Sequence, residues 1–124
     1  MRYACLVYVD ADALDALADV EWTRLDVHAA AWDEDLREDG RLVMSARLES
    51  ARTATTMRSR EGRPFAIDGP ATEAARHLSR ILVIEARDLN EAMRIAAGHP
   101  AVRSGSIEIR PVRGCGGNAM RQGG

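Results

Sequence analysis

Lysine is absent from this chain, and all 17 basic residues are arginine. Such usage often follows from genomic base composition, so it argues only weakly for an anion site, although a guanidinium suits bidentate carboxylate binding. The arginines are scattered and form no run interleaved with aromatic residues, so nucleic-acid binding has little support. Aromatic residues make up only 4% of the chain, and the core must therefore rest on Ala, Val, Leu and Ile. There are two cysteines, Cys5 in an apolar run and Cys115 in Gly114-Cys115-Gly116-Gly117. They give neither a disulfide framework nor a metal-ligand spacing. No His, Cys and carboxylate cluster has ligand spacing, and no Gly-rich phosphate loop or nucleophile elbow is present. A protein without metal or cofactor is expected. Long hydrophobic runs are also missing. The opening run Tyr3 to Val9 is too short, and wrongly flanked, for a signal peptide or a membrane span, so no membrane association and a cytoplasmic location are expected.

The 124 residues suggest one domain, and the 46% hydrophobic and 29% charged fractions with a net charge of -2 fit a soluble globular one. Tyr3 to Val9 reads as a buried strand. Trp22, Leu25, Ala29, Trp32 and Leu36 recur at spacings of three and four and predict a helix with one buried stripe, leaving Asp26, Asp33, Glu34 and Glu38 in water. Gly40 is placed to terminate it in the left-handed conformation. Arg41 to Leu48 reads as a strand. Thr53 to Arg60 and Phe65 to Ile67 read as a hairpin about Glu61-Gly62-Arg63-Pro64. Asp68-Gly69-Pro70 breaks the chain, and Thr72 to Leu78 predicts a short helix capped by Thr72 or Asp68. Arg80 to Ala86 reads as a central strand. Asp88 caps a second helix with a Leu89, Ala92, Met93 and Ala96 stripe, and Ser106 to Val112 reads as the last strand. The domain is expected over residues 1–113, with a disordered Gly-rich tail over 114–124. This order predicts an α+β fold, a ferredoxin-like unit with helices on one face of an antiparallel sheet. The apolar character of the other face calls for a second subunit, so a homodimer is expected.

Several segments together carry a specific resemblance. They are Arg2-Tyr3 through Tyr8, the helix ending at Gly40, Ala54-Thr55-Thr56-Met57-Arg58, Asp68-Gly69-Pro70, Asp88-Leu89-Asn90-Glu91-Ala92, His99-Pro100 and Glu108-Ile109-Arg110-Pro111. In that order the chain resembles the DGPF branch of the YCII-related proteins over nearly its whole length before the tail. The resemblance implies a dimeric α/β barrel, in which two open sheets pack face to face beside a cleft. Related members include a dehalogenating lyase of lactones with a His–Asp pair, and the wider superfamily includes muconolactone isomerases and polyketide cyclases. This chain departs from the pattern around the turn. Ala71 stands where Phe is usual, while Glu73 keeps an acidic position. Ala75-Arg76 replaces Lys-Glu, Ser79-Arg80 replaces Gly-Gly, and Ile81-Leu82 replaces an aromatic pair. The reading is a pocket remodelled for a different ligand; its alternative is drift in a protein that no longer uses the site.

Two residues are the catalytic candidates. His28 lies about 70° from the centre of the helix stripe, where a cleft can open, and a histidine exchanges protons near neutral pH. The His-bearing relatives carry theirs on the same helix. Asp68, as a turn residue, accepts backbone N–H groups; the resemblance gives it a part in orienting a histidine or acting as base. Substrate-binding candidates are Arg58 and Arg80, for a carboxylate or enolate, Glu73 and His77, four apart on one helix face, and Ala71. A residue of this kind is more often an ion-pair partner at a strand end, and that is the other reading of Arg58 and Arg80. His99, before Pro100, reads as a turn residue, and Trp22 and Trp32 as core or dimer contacts. The expected function is that of a small cofactor-free enzyme. It would do acid–base chemistry (isomerisation, elimination or cyclisation) on a carbonyl or lactone metabolite, in secondary metabolism by analogy. The alternative is a non-catalytic ligand-binding or sigma-factor-associated accessory protein. A cavity open to a ligand favours the first, and a filled cleft the second.

Overall fold

The computed structural model describes residues 1–114. The expected disorder of the tail and the setting of Cys115 lie outside the described residues. Strand β1 (Arg2–Val9) leads through a short helix α1 (Ala11–Asp15) into the long helix α2 (Asp19–Glu38), then strand β2 (Leu42–Arg47). Strands β3 (Thr55–Arg60) and β4 (Arg63–Asp68) form a separate two-stranded sheet, and a 3₁₀ turn (Ala74–His77) precedes β5 (Leu78–Glu85). Helix α3 (Leu89–Ala97), a 3₁₀ turn (Pro100–Arg103) and β6 (Gly105–Pro111) complete the fold. The main sheet has the order β2-β5-β1-β6, with every pair antiparallel. With the β3–β4 hairpin set aside, this is the expected ferredoxin-like α+β arrangement, two βαβ halves interleaved in one sheet.

Local chemistry explains the element ends. Asp10 starts α1 by accepting from the N–H groups of Asp12 and Ala13. Gly40, at φ +73°, closes α2. Its N–H reaches Arg37 O, and that of Arg41 reaches Leu36 O, the paired bonds of a left-handed terminator. Glu61 and Gly62 both have positive φ, so the hairpin turns on these two residues, and Arg63 and Pro64 belong to β4 rather than to the turn. Thr72, not Asp68, caps the 3₁₀ turn, its Oγ1 accepting from Ala75 N–H at 3.0 Å.

The helices cover one face of the sheet. Tyr3, Cys5 and Val7 of β1 and Leu82 and Ile84 of β5 meet Leu36 of α2 and Ala92 of α3 in the core. Cys5 behaves as a small core residue, and burial pushes its thiol up to about 11. Two stripe expectations change. In α3 the buried residues are Glu91, Ala92 and Ala96, whereas Leu89 and Met93 are exposed. In α2 Asp33 is buried rather than in water. It stands four residues after Ala29 and three before Leu36, inside the stripe, and it is paired, which is what lets a carboxylate sit there. The opposite sheet face carries Leu6, Tyr8, Ile81 and Val83, all half-buried.

Candidate functional site

A cavity of about 430 Å³ opens between α2 and the helix-covered face of the sheet. Its apolar wall comes from Val7 and Val9 of β1, Leu14 of α1, Trp22 and Leu25 of α2, and Leu48 after β2. Leu25 belongs to the predicted helix stripe yet is 41% exposed, because the stripe borders an open volume there instead of packed core.

The polar end is built by α2 reaching across to the sheet. Val7 pairs with Arg80 and Tyr8 with Leu78, so Ser79 is an extra residue in β5. This bulge brings Leu78, Ser79 and Arg80 all to the cavity. Arg80 donates from Nη1 to Asp33 Oδ2 at 3.2 Å, and the Ser45 hydroxyl donates to the same oxygen at 2.8 Å. The Arg80 and Asp33 side chains are each 13% exposed. Arg80 Nε and Nη2 have no acceptor among the described residues.

His99 closes the deep wall at 4% exposure. Its Nδ1 accepts from Ala101 N–H at 3.0 Å, which places the proton of the neutral ring on Nε2. Among the described residues that buried Nε2–H has no acceptor, and the buried Asp33 Oδ1 likewise has no donor. Burial holds the His99 pKa below the usual imidazole value; the Arg80 charge adds to this, and the Asp33 carboxylate partly offsets it. The Trp32 ring meets His99 edge-on, with centroids 4.8 Å apart.

The mouth is clasped by charge. Arg76 donates to both Asp12 oxygens, at 3.0 and 2.7 Å, and from Nε to Glu73 at 3.1 Å. The Arg76 guanidinium holds the Asp12 carboxyl below the usual carboxylate range. His77 Nδ1 accepts from Ala11 N–H at 3.1 Å, so this ring, too, carries its neutral-form proton on Nε2. Asp26 pairs with Arg47, and both line the cavity with Glu49, which has no hydrogen-bond or ion-pair partner among the described residues.

Of the residues singled out by sequence, His77 and Arg80 line the cavity. His28 is exposed on α2, Asp68 is exposed at the end of β4, and neither is in the lining. Arg58 donates to the Ala71 carbonyl at 3.2 Å, fastening the turn to β3, and both residues are exposed outside the cavity wall. Glu73 is outside the lining and reaches it through Arg76, at 3.1 Å, and through His77, whose Nε2 lies 3.9 Å from the Glu73 carboxylate. Sequence reading placed His99 as a turn residue, as its cap on Ala101 N–H shows, but gave neither it nor Asp33 a place at the polar end. The signal for Asp33 was its place inside the apolar stripe, and His99 carried no local signal beyond its Pro100 neighbour. Among the described residues no group of three or more His, Cys, Asp or Glu side chains is gathered for a metal. No helix among them is long and apolar enough to cross a membrane.

No curated protein matches the chain. Among solved structures, a similar fold is that of 5-chloro-2-hydroxyhydroquinone dehydrochlorinase from Burkholderia phenoliruptrix AC1100, in complex with 2,5-dihydroxybenzoquinone. It is 13% identical, with a TM-score of 0.54 over 93% of this chain and 96% of that one. The family model of the YCII-related domain matches residues 1–115, so this chain belongs to the YCII-related family.

Proposed function

We propose that the chain is a small-molecule enzyme that moves a proton next to a carbonyl group in the cavity beneath α2. The observation that carries this reading is the pair of unused donors at the polar end, the free edge of Arg80 and the Nε2–H of His99. Preorganised donors in a site poor in water stabilise charge that develops on a substrate oxygen. A neutral imidazole suits this task when its other nitrogen is engaged, as His99 Nδ1 is by Ala101. Asp33 and Ser45 hold Arg80 in place, so its position does not depend on the ligand.

Glu49 is the proton acceptor in this assignment and His77 Nε2–H the donor at the mouth. They take the role that sequence reading gave to His28 and Asp68, because they line the cavity and those two do not. Positioned acid–base groups contribute roughly 10²–10⁴-fold, enough for an activated carbonyl or lactone. Isomerisation, elimination and cyclisation all begin from the oxyanion that Arg80 and His99 would hold. The dehydrochlorinase of similar fold is a small-molecule enzyme and supports this class of chemistry by analogy. The open cavity favours this reading over an accessory role. The test is solvent exchange: small ketones and lactones are incubated with the protein in deuterium oxide and followed by proton NMR. Deuterium entry next to the carbonyl above the protein-free rate is expected; none across the panel leaves a ligand-binding protein.

A further inference from the structure

The two histidines of the cavity share a feature that the proton-transfer reading does not require. Each has Nδ1 occupied by a backbone N–H, Ala11 for His77 and Ala101 for His99. In the neutral form of each ring the remaining proton is therefore on Nε2. Arg80 presents the parallel N–H groups of its one free edge, Nε and Nη2, and cannot act as an acceptor. The buried polar end thus offers donors from two side chains, one of them permanently cationic and locked by Asp33 and Ser45. A site that is charged and ordered before the ligand arrives favours a ligand that is already an anion.

We infer that the cavity binds a planar monoanion whose charge is shared by two oxygens, a carboxylate or the enolate of an acidic 1,3-dicarbonyl, seated on Arg80 and His99 with an apolar body toward Trp22 and Leu25. This rests on the proposed location of the site. The fork of Arg80 matches two coplanar oxygens, and His99 Nε2–H supplies a further donor to one of them. The apolar wall takes the body of the molecule. Asp15, Asp26 and Glu49 balance Arg47, Arg76 and Arg80 across the lining, so an anion is held by the local donors of Arg80 and His99 and not by net charge, and a second negative charge would find no such donors. Arg80 stands where the family resemblance has glycine, so the anion preference belongs to this chain.

The test is direct binding to the full chain, by calorimetry or NMR titration at neutral pH. Two matched probe pairs are used, benzoate with benzamide and 1,3-cyclohexanedione with its methyl enol ether, together with the dianion terephthalate. At least one anion should bind saturably. Its neutral partner should bind at least about tenfold more weakly, a difference of about 1.4 kcal/mol, and terephthalate should bind more weakly than benzoate. Benzoate alone identifies a carboxylate site, and the dione alone an enolate site. Arg80→Gln and His99→Asn, checked for folding by circular dichroism, should each weaken the preferred anion by a similar factor. Neutral partners binding as well as the anions, no binding by either anion, or full affinity in both folded variants would overturn the inference. Deuterium exchange into neutral ketones without anion preference would sink this inference alone. Anion preference without any exchange would sink the enzyme reading and leave this one standing.

Discussion

Arg47 and Arg80 stand directly opposite each other across the β2–β5 ladder. Two like charges on one rung repel. Helix α2 resolves this with two carboxylates one heptad apart, Asp26 on Arg47 and Asp33 on Arg80. The polar end of the cavity and the docking of α2 are therefore one structure. Asp33→Ala should leave Arg80 without its partner and cost roughly 2–3 kcal/mol, below the about 3–5 of a fully enclosed pair because the cavity admits water. Asp26→Ala, on a more exposed pair, should cost less than about 1 kcal/mol. Urea unfolding of both variants measures the order; equal costs would mean that the Asp33 pair is screened like a surface one.

His99 should make stability sensitive to mild acid. Its folded pKa lies below the unfolded value, so the unfolded chain binds the proton first. The contribution is fully present above the ordinary imidazole pKa of about 6.5 and is lost as pH falls through and below it. His99→Asn keeps an oxygen to cap Ala101 N–H but removes the titrating ring. The fall in melting temperature from neutral pH to mildly acid pH should be smaller in the variant than in wild type. Parallel curves would show that His99 does not titrate differently on folding.

Gly105 opens β6 against the end of β1. A Cβ there would overlap the Tyr8 carbonyl oxygen, a rigid backbone atom. Gly105→Ala must push β6 away from β1 beside the cavity residues Val9 and Ser104. A loss of about 1–3 kcal/mol is expected, the usual cost of overpacking, and thermal unfolding reads it. An unchanged melting temperature would mean that the strand end shifts freely.

The sheet face away from the helices carries Leu6, Tyr8, Ile81 and Val83. A single sheet with one such face is covered most simply by a second copy. Light scattering at micromolar concentration should give twice the 13.5 kDa chain mass. A stable folded species at the chain mass would contradict the dimer.

The fold was legible because its signals are local and repeated. The α2 periodicity, Gly40, the Asp88 cap and the β5 run Ile81-Leu82-Val83-Ile84 each place an element. The family segments then fix the order, which the sheet reproduces. The site was less legible, because it depends on contacts between distant segments. His77 was picked out by its spacing from Glu73, and Arg80 by its charge and its departure from the family pattern. His99 could not be, since its Nδ1 contact with Ala101 is an ordinary turn cap and its place in the cavity wall depends on how distant segments pack. The Ser79 bulge that turns three consecutive residues toward the cavity follows from the pairing of β1 with β5, and no residue type announces it.

We place the chemistry at Arg80 and His99 in the cavity, not at the outward-facing His28 and Asp68. The most direct test is deuterium exchange into the best carbonyl substrate by four folded variants side by side. Arg80→Gln and His99→Asn should each lose at least about tenfold in rate, the scale of one lost oxyanion donor or more, while His28→Ala and Asp68→Asn stay near wild type. The reverse pattern, with loss at His28 and Asp68 and full rate at Arg80 and His99, would contradict the account.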